Sequence, residues 1–114
     1  MCLILVAWRA HPDHPLVVAA NRDEFFDRPT AAAAFWPGTD ILAGRDLKEG
    51  GTWMGITRGG RFAALTNYRD PALVKTGKAS RGHLVADFLS ARSAPQAWLA
   101  ELSRRLDDYN PFNL

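Results

Sequence analysis

The chain has 114 residues, of which 47% are hydrophobic, so it forms one domain at most, with a modest core. Fourteen basic and twelve acidic residues are spread along the chain and leave a net charge of +2, which gives no indication of nucleic-acid binding. The single cysteine excludes an internal disulfide, and no apolar run approaches the roughly 20 residues of a membrane span. Since the first residues lack the basic flank of a secretory signal, the expected location is cytoplasmic.

The first predicted elements are two apolar strands, at residues 3–8 and 16–20, joined by a loop rich in Pro, His and Asp. Continuous apolar runs are typical of strands covered on both faces, which favours a layered α/β or α+β body. If the strands pair antiparallel, the chain doubles back. Cys2 would then come within side-chain reach of Arg22 and Asp23.

The loop between these strands contains two histidines, His11 and His14, with an aspartate between them. A structural zinc site needs about four ligands, usually including cysteine. The loop is broken by prolines and offers no such cluster. We therefore predict no metal site.

Short strands and turns are predicted in the middle of the chain. Residues 30–36 hold four alanines and are consistent with either a helical turn or a packed loop. Residues 41–44 predict a short strand. Two later apolar runs flank Gly59-Gly60, and a Gly-Gly pair favours a hairpin with a two-residue primed turn.

Three further glycines, at positions 50, 51 and 55, precede or interrupt the first of those runs. They can be interpreted as positions that permit tight turns and close packing. They can equally be interpreted as space cleared for a substrate beside the strand.

Two amphipathic helices are predicted near the end of the chain. The first has Ser80 as its N-cap, and its apolar residues fall on one face. The second begins in a capping box at Ser93, with a proline in its first turn. The apolar positions of the two faces are Leu84, Val85, Phe88 and Leu89, then Trp98, Leu99, Leu102 and Leu106. Both helices are predicted to cover one face of a sheet.

Residues 112–114 indicate the opening of another strand. A sheet edge that stops in mid-strand suggests an incomplete domain.

An amino-terminal cysteine would supply a thiol nucleophile together with an amine base. Removal of Met1 would make Cys2 the first residue, and its α-amino group could then take the proton of its own thiol. Arg22 beside the sulfur would favour the thiolate, and Asp23 could hold the ammonium or orient the arginine.

Acyl transfer also needs hydrogen-bond donors for the tetrahedral oxyanion. Asn67, or a backbone N–H near Gly50-Gly51, could supply them. The residues also allow a simpler interpretation, in which Cys2 is a small buried hydrophobe, as free cysteines commonly are.

Four blocks follow Met1-Cys2 in this order: Asn21-Arg22-Asp23-Glu24, Gly44-Arg45-Asp46-Leu47, Gly50-Gly51-Thr52-Trp53-Met54-Gly55-Ile56 and Thr66-Asn67-Tyr68-Arg69. These blocks resemble the NRDE family, also known as the transport and Golgi organization protein 2 family. Residues 109–114 resemble the block that follows in that family. Family members are longer, so the sequence resembles their amino-terminal half.

The family is in turn similar to N-terminal nucleophile hydrolases, especially the penicillin V acylase and bile salt hydrolase group. The resemblance implies an α+β fold, an αββα sandwich of antiparallel sheets with covering helices, in which residues 1–114 are a single, incomplete domain. It implies a nucleophile at Cys2, assistance from Arg22 and Asp23, and an oxyanion donor at Asn67. In that group the Arg and Asp are separated, whereas here they are adjacent. Substrate contacts are expected at Asn21, Gly51, Trp53 and Tyr68.

Two functions follow from the resemblance. The first is a cysteine amidohydrolase that acts on a small amide through an acyl-enzyme and needs no cofactor. The second is a module that binds haem or an acyl chain without turnover, since haem trafficking and lipid or acyl-CoA handling have both been proposed for eukaryotic members. Candidate haem contacts are Trp8, Trp36, Trp53 and either His11 or His14. The sequence predicts no particular oligomeric state.

Overall fold

The computed structural model describes residues 2–68 and 70–114, which form eight strands, two α-helices and one 3₁₀-helix. The strands are β1 (Leu3–Trp8), β2 (Leu16–Asn21), β3 (Thr30–Phe35), β4 (Ile41–Asp46), β5 (Met54–Thr57), β6 (Phe62–Ala64), β7 (Thr66–Asn67) and β8 (Phe112–Asn113). The helices are α1 (Gly82–Ser90), α2 (Pro95–Leu102) and the 3₁₀-helix Ser103–Asp108.

The strands of the described residues pair in three antiparallel sheets, in the orders β1-β2, β3-β4-β5-β6 and β7-β8. Helix α1 packs on the four-stranded sheet. These findings confirm the predicted α+β class, with antiparallel sheets and covering helices. They are also consistent with the layers of an αββα sandwich.

The predicted amino-terminal hairpin is confirmed, with Leu3 opposite Asn21 and Trp8 opposite Leu16. The prediction that its strands are covered on both faces is wrong for the described part of the chain, since Leu5 and Trp8 expose 60% and 63% of their surface. An apolar run shows that a strand can be buried; it does not show which element covers it.

Residues 30–35 form strand β3, so both predictions for this segment, a helical turn and a packed loop, are wrong. The strand lies at the edge of the four-stranded sheet and pairs with β4, with a register shift between Ala31 and Ala34. The hydrogen bonds to β4 outweigh the helix propensity of the alanines. The predicted strand at 41–44 is confirmed and extends to Asp46.

The hairpin of β5 and β6 is confirmed, but its turn differs from the predicted one. Thr57 N donates to Arg61 O (2.9 Å), and Gly60 N donates to Thr57 O (3.0 Å). Gly60 has a φ of +83°, whereas the φ of Gly59 lies outside the left-handed region. The connection is therefore a three-residue loop that needs only one left-handed glycine.

The core lies between α1 and the four-stranded sheet, where Leu84 and Val85 are fully buried. It is completed by Ile41, Ala43, Ala63, Leu65, Leu89, Trp98 and Leu102. Leu99 and Leu106 are exposed. Within α2 the buried residues are Trp98 and Leu102, four positions apart, and Leu99 lies beside that face. Leu106 lies beyond the end of α2, in the 3₁₀-helix, which has a different period.

The predicted helix caps are wrong. The N-cap of α1 is Arg81 and that of α2 is Ala94, and neither makes a side-chain capping hydrogen bond. The proline of the second helix is in its first turn, as predicted.

No helix among the described residues is long and apolar enough to cross a lipid bilayer.

Two of the three ambiguous glycines lie against neighbouring elements. A Cβ added to Gly51 would lie 2.5 Å from the carbonyl carbon of Gly82, at the start of α1. A Cβ on Gly55 would lie 2.7 Å from Cδ1 of Leu89 in the same helix. Gly55 in β5 and Gly51 in the loop before β5 therefore allow α1 to pack closely, which supports the packing interpretation.

Candidate active site

The β1–β2 hairpin brings the single cysteine against the polar tetrad that follows β2. The backbone N–H of Asp23 donates to Cys2 Sγ at 3.4 Å, and Cys2 Sγ lies 3.8 Å from the carbonyl oxygen of Asp23. These two contacts are made by the main chain of Asp23. They are a direct consequence of the register that pairs Leu3 with Asn21.

The Arg22 guanidinium is paired with Glu24, whose Oε2 lies 3.5 Å from Nη2. Glu24 was not among the predicted site residues, although it is the last residue of the Asn-Arg-Asp-Glu block. Both side chains are about one-quarter exposed, at 28% and 27%. The site therefore holds Arg22 in a partly hydrated ion pair, next in the chain to Asp23, whose main chain contacts Cys2.

Cys2 lies at a cleft of about 410 Å³. Arg22, Asp23 and Asn67, the other predicted catalytic residues, line the same cleft, together with Trp53. Residues that are as far apart in sequence as Cys2 and Asn67 are thus brought to one cavity by the hairpin and by β7.

Three of the residues predicted to contact a substrate do not line this cleft. Asn21 is the last residue of β2 and pairs with Leu3. Gly51 lies against α1, and Tyr68 lines a second cavity. Asn21 thus takes part in strand pairing, Gly51 in the packing against α1, and Tyr68 in the lining of the second cavity.

The cleft walls also contain charged residues besides Arg22 and Asp23, which the sequence predicted. Among the described residues, five basic and four acidic side chains line it: Arg22, Arg28, Arg45, Lys78 and Arg81, with Asp23, Glu24, Asp46 and Glu49. Glu24, Arg45 and Asp46 belong to the quoted family blocks, and this membership was the available signal. Lys78 and Arg81 belong to none of the quoted blocks.

Arg28 and Asp46 form an ion pair in the wall of the cleft. Arg28 Nε lies 3.2 Å from each carboxylate oxygen of Asp46, and Nη2 also donates to Oδ2. The hydrogen bond from Arg28 holds the pKa of Asp46 below its ordinary value. The same bond raises the pKa of Arg28.

This pair predicts a stability that depends on pH. Asp46 keeps its charge to lower pH in the folded chain than in the unfolded chain, where an aspartate has a pKa of about 4. The pair's contribution is therefore present above that unfolded value and is lost as the pH falls through the lower folded-state pKa. Asp46→Asn should cost about 1 kcal/mol of unfolding free energy at pH 7, a value reduced for the solvent exposure of the pair.

Urea unfolding of wild type and Asp46→Asn at pH 7 and at pH 3 measures this effect. The difference between the two proteins should shrink at pH 3. Asp87→Asn, on the exposed side of α1, is the matched control and should change little at either pH. An equal difference between wild type and Asp46→Asn at both pH values would contradict the prediction.

The two loop histidines lie beyond the end of the β1–β2 hairpin opposite to Cys2, and the paired strands between the two ends are about 17 Å long. Their rings stack with centroids 5.0 Å apart. No group of three or more His, Cys, Asp or Glu side chains among the described residues is arranged to hold a metal ion.

The sequence profile of the Transport and Golgi organisation 2 family matches residues 1–114. The Transport and Golgi organization protein 2 homologs of Bos taurus and Homo sapiens are 43% and 42% identical over all of this chain. The Drosophila melanogaster protein of that name is 34% identical over 99% of it. In each case the match covers 44% of the relative, so the chain spans less than half the length of these proteins. The resemblance inferred from the sequence blocks is thereby confirmed, and the chain belongs to the Transport and Golgi organisation 2 family.

Proposed function

We propose that the chain is an N-terminal-nucleophile-like cysteine amidohydrolase, which cleaves a small amide through an acyl-enzyme. The observation that supports this proposal is the position of Cys2 Sγ, which contacts the main chain of Asp23 at a polar cleft shared with Arg22 and Asn67. Acyl transfer requires a nucleophile with a base and a donor for the oxyanion, here the thiol of Cys2 with its own amine and the Asn67 amide. A cation at the same cavity favours the thiolate. Because the relatives are more than twice as long, the activity of the whole protein is part of the proposal.

The proposed reaction begins once Met1 has been removed. The α-amino group of Cys2 takes the thiol proton, and the thiolate attacks the amide carbon to form a C–S bond. The backbone N–H of Asp23, 3.4 Å from the sulfur, stabilises the thiolate by donating to it. The resulting oxyanion accepts hydrogen bonds, with the Asn67 side-chain amide as the proposed donor.

Collapse of the tetrahedral intermediate breaks the C–N bond. The leaving amine takes the proton that the ammonium of Cys2 holds, and an acyl thioester remains on the sulfur. Water then attacks the thioester carbon, with the α-amino group again acting as base. The C–S bond breaks, the carboxylic acid leaves, and the ammonium returns its proton to the Cys2 thiolate. The positive charge of Arg22 stabilises the thiolate and the oxyanions of the two steps. Its pairing with Glu24 fixes the position of its guanidinium.

Alkylation of Cys2 tests the activation of the nucleophile. We expect iodoacetamide to modify Cys2 at pH 7 about tenfold faster than it modifies a short peptide with an amino-terminal cysteine. Arg22→Gln should remove a large part of this difference. Arg9→Gln, at the opposite end of the hairpin, is the matched control and should leave the rate unchanged. Intact mass establishes beforehand that Met1 is absent. A rate for Cys2 equal to that of the peptide would contradict the proposed activation.

A second candidate function is a module that carries an acyl chain or haem without turnover. It is supported by a second cavity of about 400 Å³, whose lining includes the side chains Leu73, Leu106, Tyr109 and Phe112 beside the charged residues Lys75, Lys78 and Asp107. Of the residues predicted as haem contacts, Trp8, His11 and His14 belong to the end of the hairpin remote from the cleft, whereas Trp53 lines it. The acyl chain is therefore the better-supported cargo.

Titration with a fatty acid and with haem, on wild type and on Cys2→Ala, separates this function from the first. Equal affinity of the two proteins for the fatty acid, together with a peptide-like alkylation rate, would favour the carrier. Accelerated alkylation without fatty-acid binding would favour the hydrolase.

A further inference from the structure

Three of the five cations that line the cleft have only neutral acceptors among their described polar partners. Arg22 and Arg28 are paired with carboxylates, as described above. The remaining three donate to backbone carbonyl oxygens: Arg45 Nε to Gly50 O (3.1 Å), Arg81 Nη1 to Pro111 O (2.8 Å) and Lys78 Nζ to Asp107 O.

A carbonyl oxygen fixes the direction of a guanidinium or ammonium group without cancelling its charge. Arg45 is additionally held over the ring of Trp36, 4.5 Å from its centroid. Arg81 is half-buried, and its burial lowers the pKa of its guanidinium from the ordinary value. Arg81 is therefore a partly desolvated cation without a carboxylate partner among the described residues, and it retains donors at Nε and Nη2 that could serve a ligand.

Four acidic side chains also line the cleft, Asp23, Glu24, Asp46 and Glu49, but no ion pair among the described residues joins one of them to Arg45, Lys78 or Arg81. Glu24 and Asp46 are engaged with Arg22 and Arg28. The Glu49 side chain is exposed, and its carbonyl oxygen lies 2.6 Å from Nε2 of His83.

We propose that the cleft recognises an anionic oxygen group, a carboxylate or a phosphate, and that Arg81 and Lys78 bind it. This inference rests on the proposed function in one respect, since it assigns the anionic group to the amide that Cys2 would cleave. A guanidinium binds such groups through two parallel hydrogen bonds, which also orient the ligand. The substrates implied are amides that carry a negative charge.

Two alkylating agents of equal size test the charge preference at the cleft. Iodoacetate and iodoacetamide react at the same carbon, but only iodoacetate is anionic. Because a change in the thiolate fraction of Cys2 affects both rates equally, the ratio of the iodoacetate rate to the iodoacetamide rate reports the charge of the surroundings. We expect this ratio at low salt to be about fivefold higher for Cys2 than for the amino-terminal cysteine peptide.

Arg81→Gln and Lys78→Gln should each lower the ratio, while Arg104→Gln, in the 3₁₀-helix outside the cleft, should leave it unchanged. Added salt should lower the ratio of the wild type, because screening weakens the attraction. This wild-type measurement decides the question should a variant fail to fold. A ratio equal to that of the peptide, or unaffected by both cleft variants, would overturn the inference.

Competition distinguishes the two anionic groups. Acetate and inorganic phosphate are compared, at equal ionic strength, as inhibitors of the iodoacetate reaction. Stronger inhibition by one of them supports the inference and identifies its group, whereas no inhibition by either overturns it.

The two proposals can fail separately. A slow iodoacetamide reaction with a high ratio contradicts only the activation of Cys2. A fast iodoacetamide reaction with a peptide-like ratio contradicts only the recognition of an anion.

Discussion

Replacement of Gly51 by alanine is expected to destabilise the fold by more than about 3 kcal/mol. The new Cβ would lie 2.5 Å from the carbonyl carbon of Gly82, 2.6 Å from its oxygen and 2.9 Å from the nitrogen of His83. These are backbone atoms, so no rotamer change can relieve the overlap. Helix α1 or the loop before β5 would have to move.

The expected movement would also reach the cleft. Thr52 N donates to Gly82 O at 3.1 Å, and this hydrogen bond ties the loop before β5 to the start of α1. Thr52, Arg81 and Gly82 line the cleft. Gly51→Ala should therefore weaken both the fold and the wall that presents Arg81.

Urea unfolding followed by tryptophan fluorescence measures the loss of stability. Gly59→Ala is the matched control. The atom nearest to its new Cβ is Oγ1 of Thr57, at 3.8 Å, and the φ of Gly59 is open to an L-residue. We expect the control to change the unfolding free energy by less than about 0.5 kcal/mol. Similar small changes in both variants would refute the packing role of Gly51.

The parts of the fold that the sequence predicted well are those governed by local pattern. Strands β1 and β2 follow from continuous apolar runs, and α1 follows from the spacing of Leu84, Val85 and Leu89, which are buried as expected. Strand β3 could not be predicted in this way. Its alanines carry no strand signal, and its state is decided by pairing with β4.

The same distinction between local pattern and tertiary contact holds for the candidate site. The approach of Cys2 to Asp23 could be predicted, because antiparallel pairing in a hairpin places the start of the first strand beside the end of the second. The ion pair between Arg28 and Asp46 could not, since Arg28 lies outside the strands. The position of Arg81 in the cleft depends on the packing of α1 against Gly51, a contact that no periodicity encodes.

Loss of the thiol is expected to have the largest effect on chemistry. If Cys2 forms the acyl-enzyme, Cys2→Ala removes the atom that forms the C–S bond, and the remaining groups of the cleft cannot replace it. We expect amide cleavage to fall by about three orders of magnitude or more. Cys2→Ala should keep the unfolding midpoint close to that of the wild type, because the side chain is only partly buried at the sheet's end.

The most direct measurement is the release of 7-amino-4-methylcoumarin from its acetyl and glutaryl amides, which carry a neutral and an anionic acyl group. The chain with a free amino-terminal Cys2 is predicted to release the fluorophore, whereas Cys2→Ala is predicted to release it no faster than buffer does. Release by wild type at the rate of the buffer blank, or equal release by wild type and Cys2→Ala, would contradict nucleophilic catalysis by Cys2.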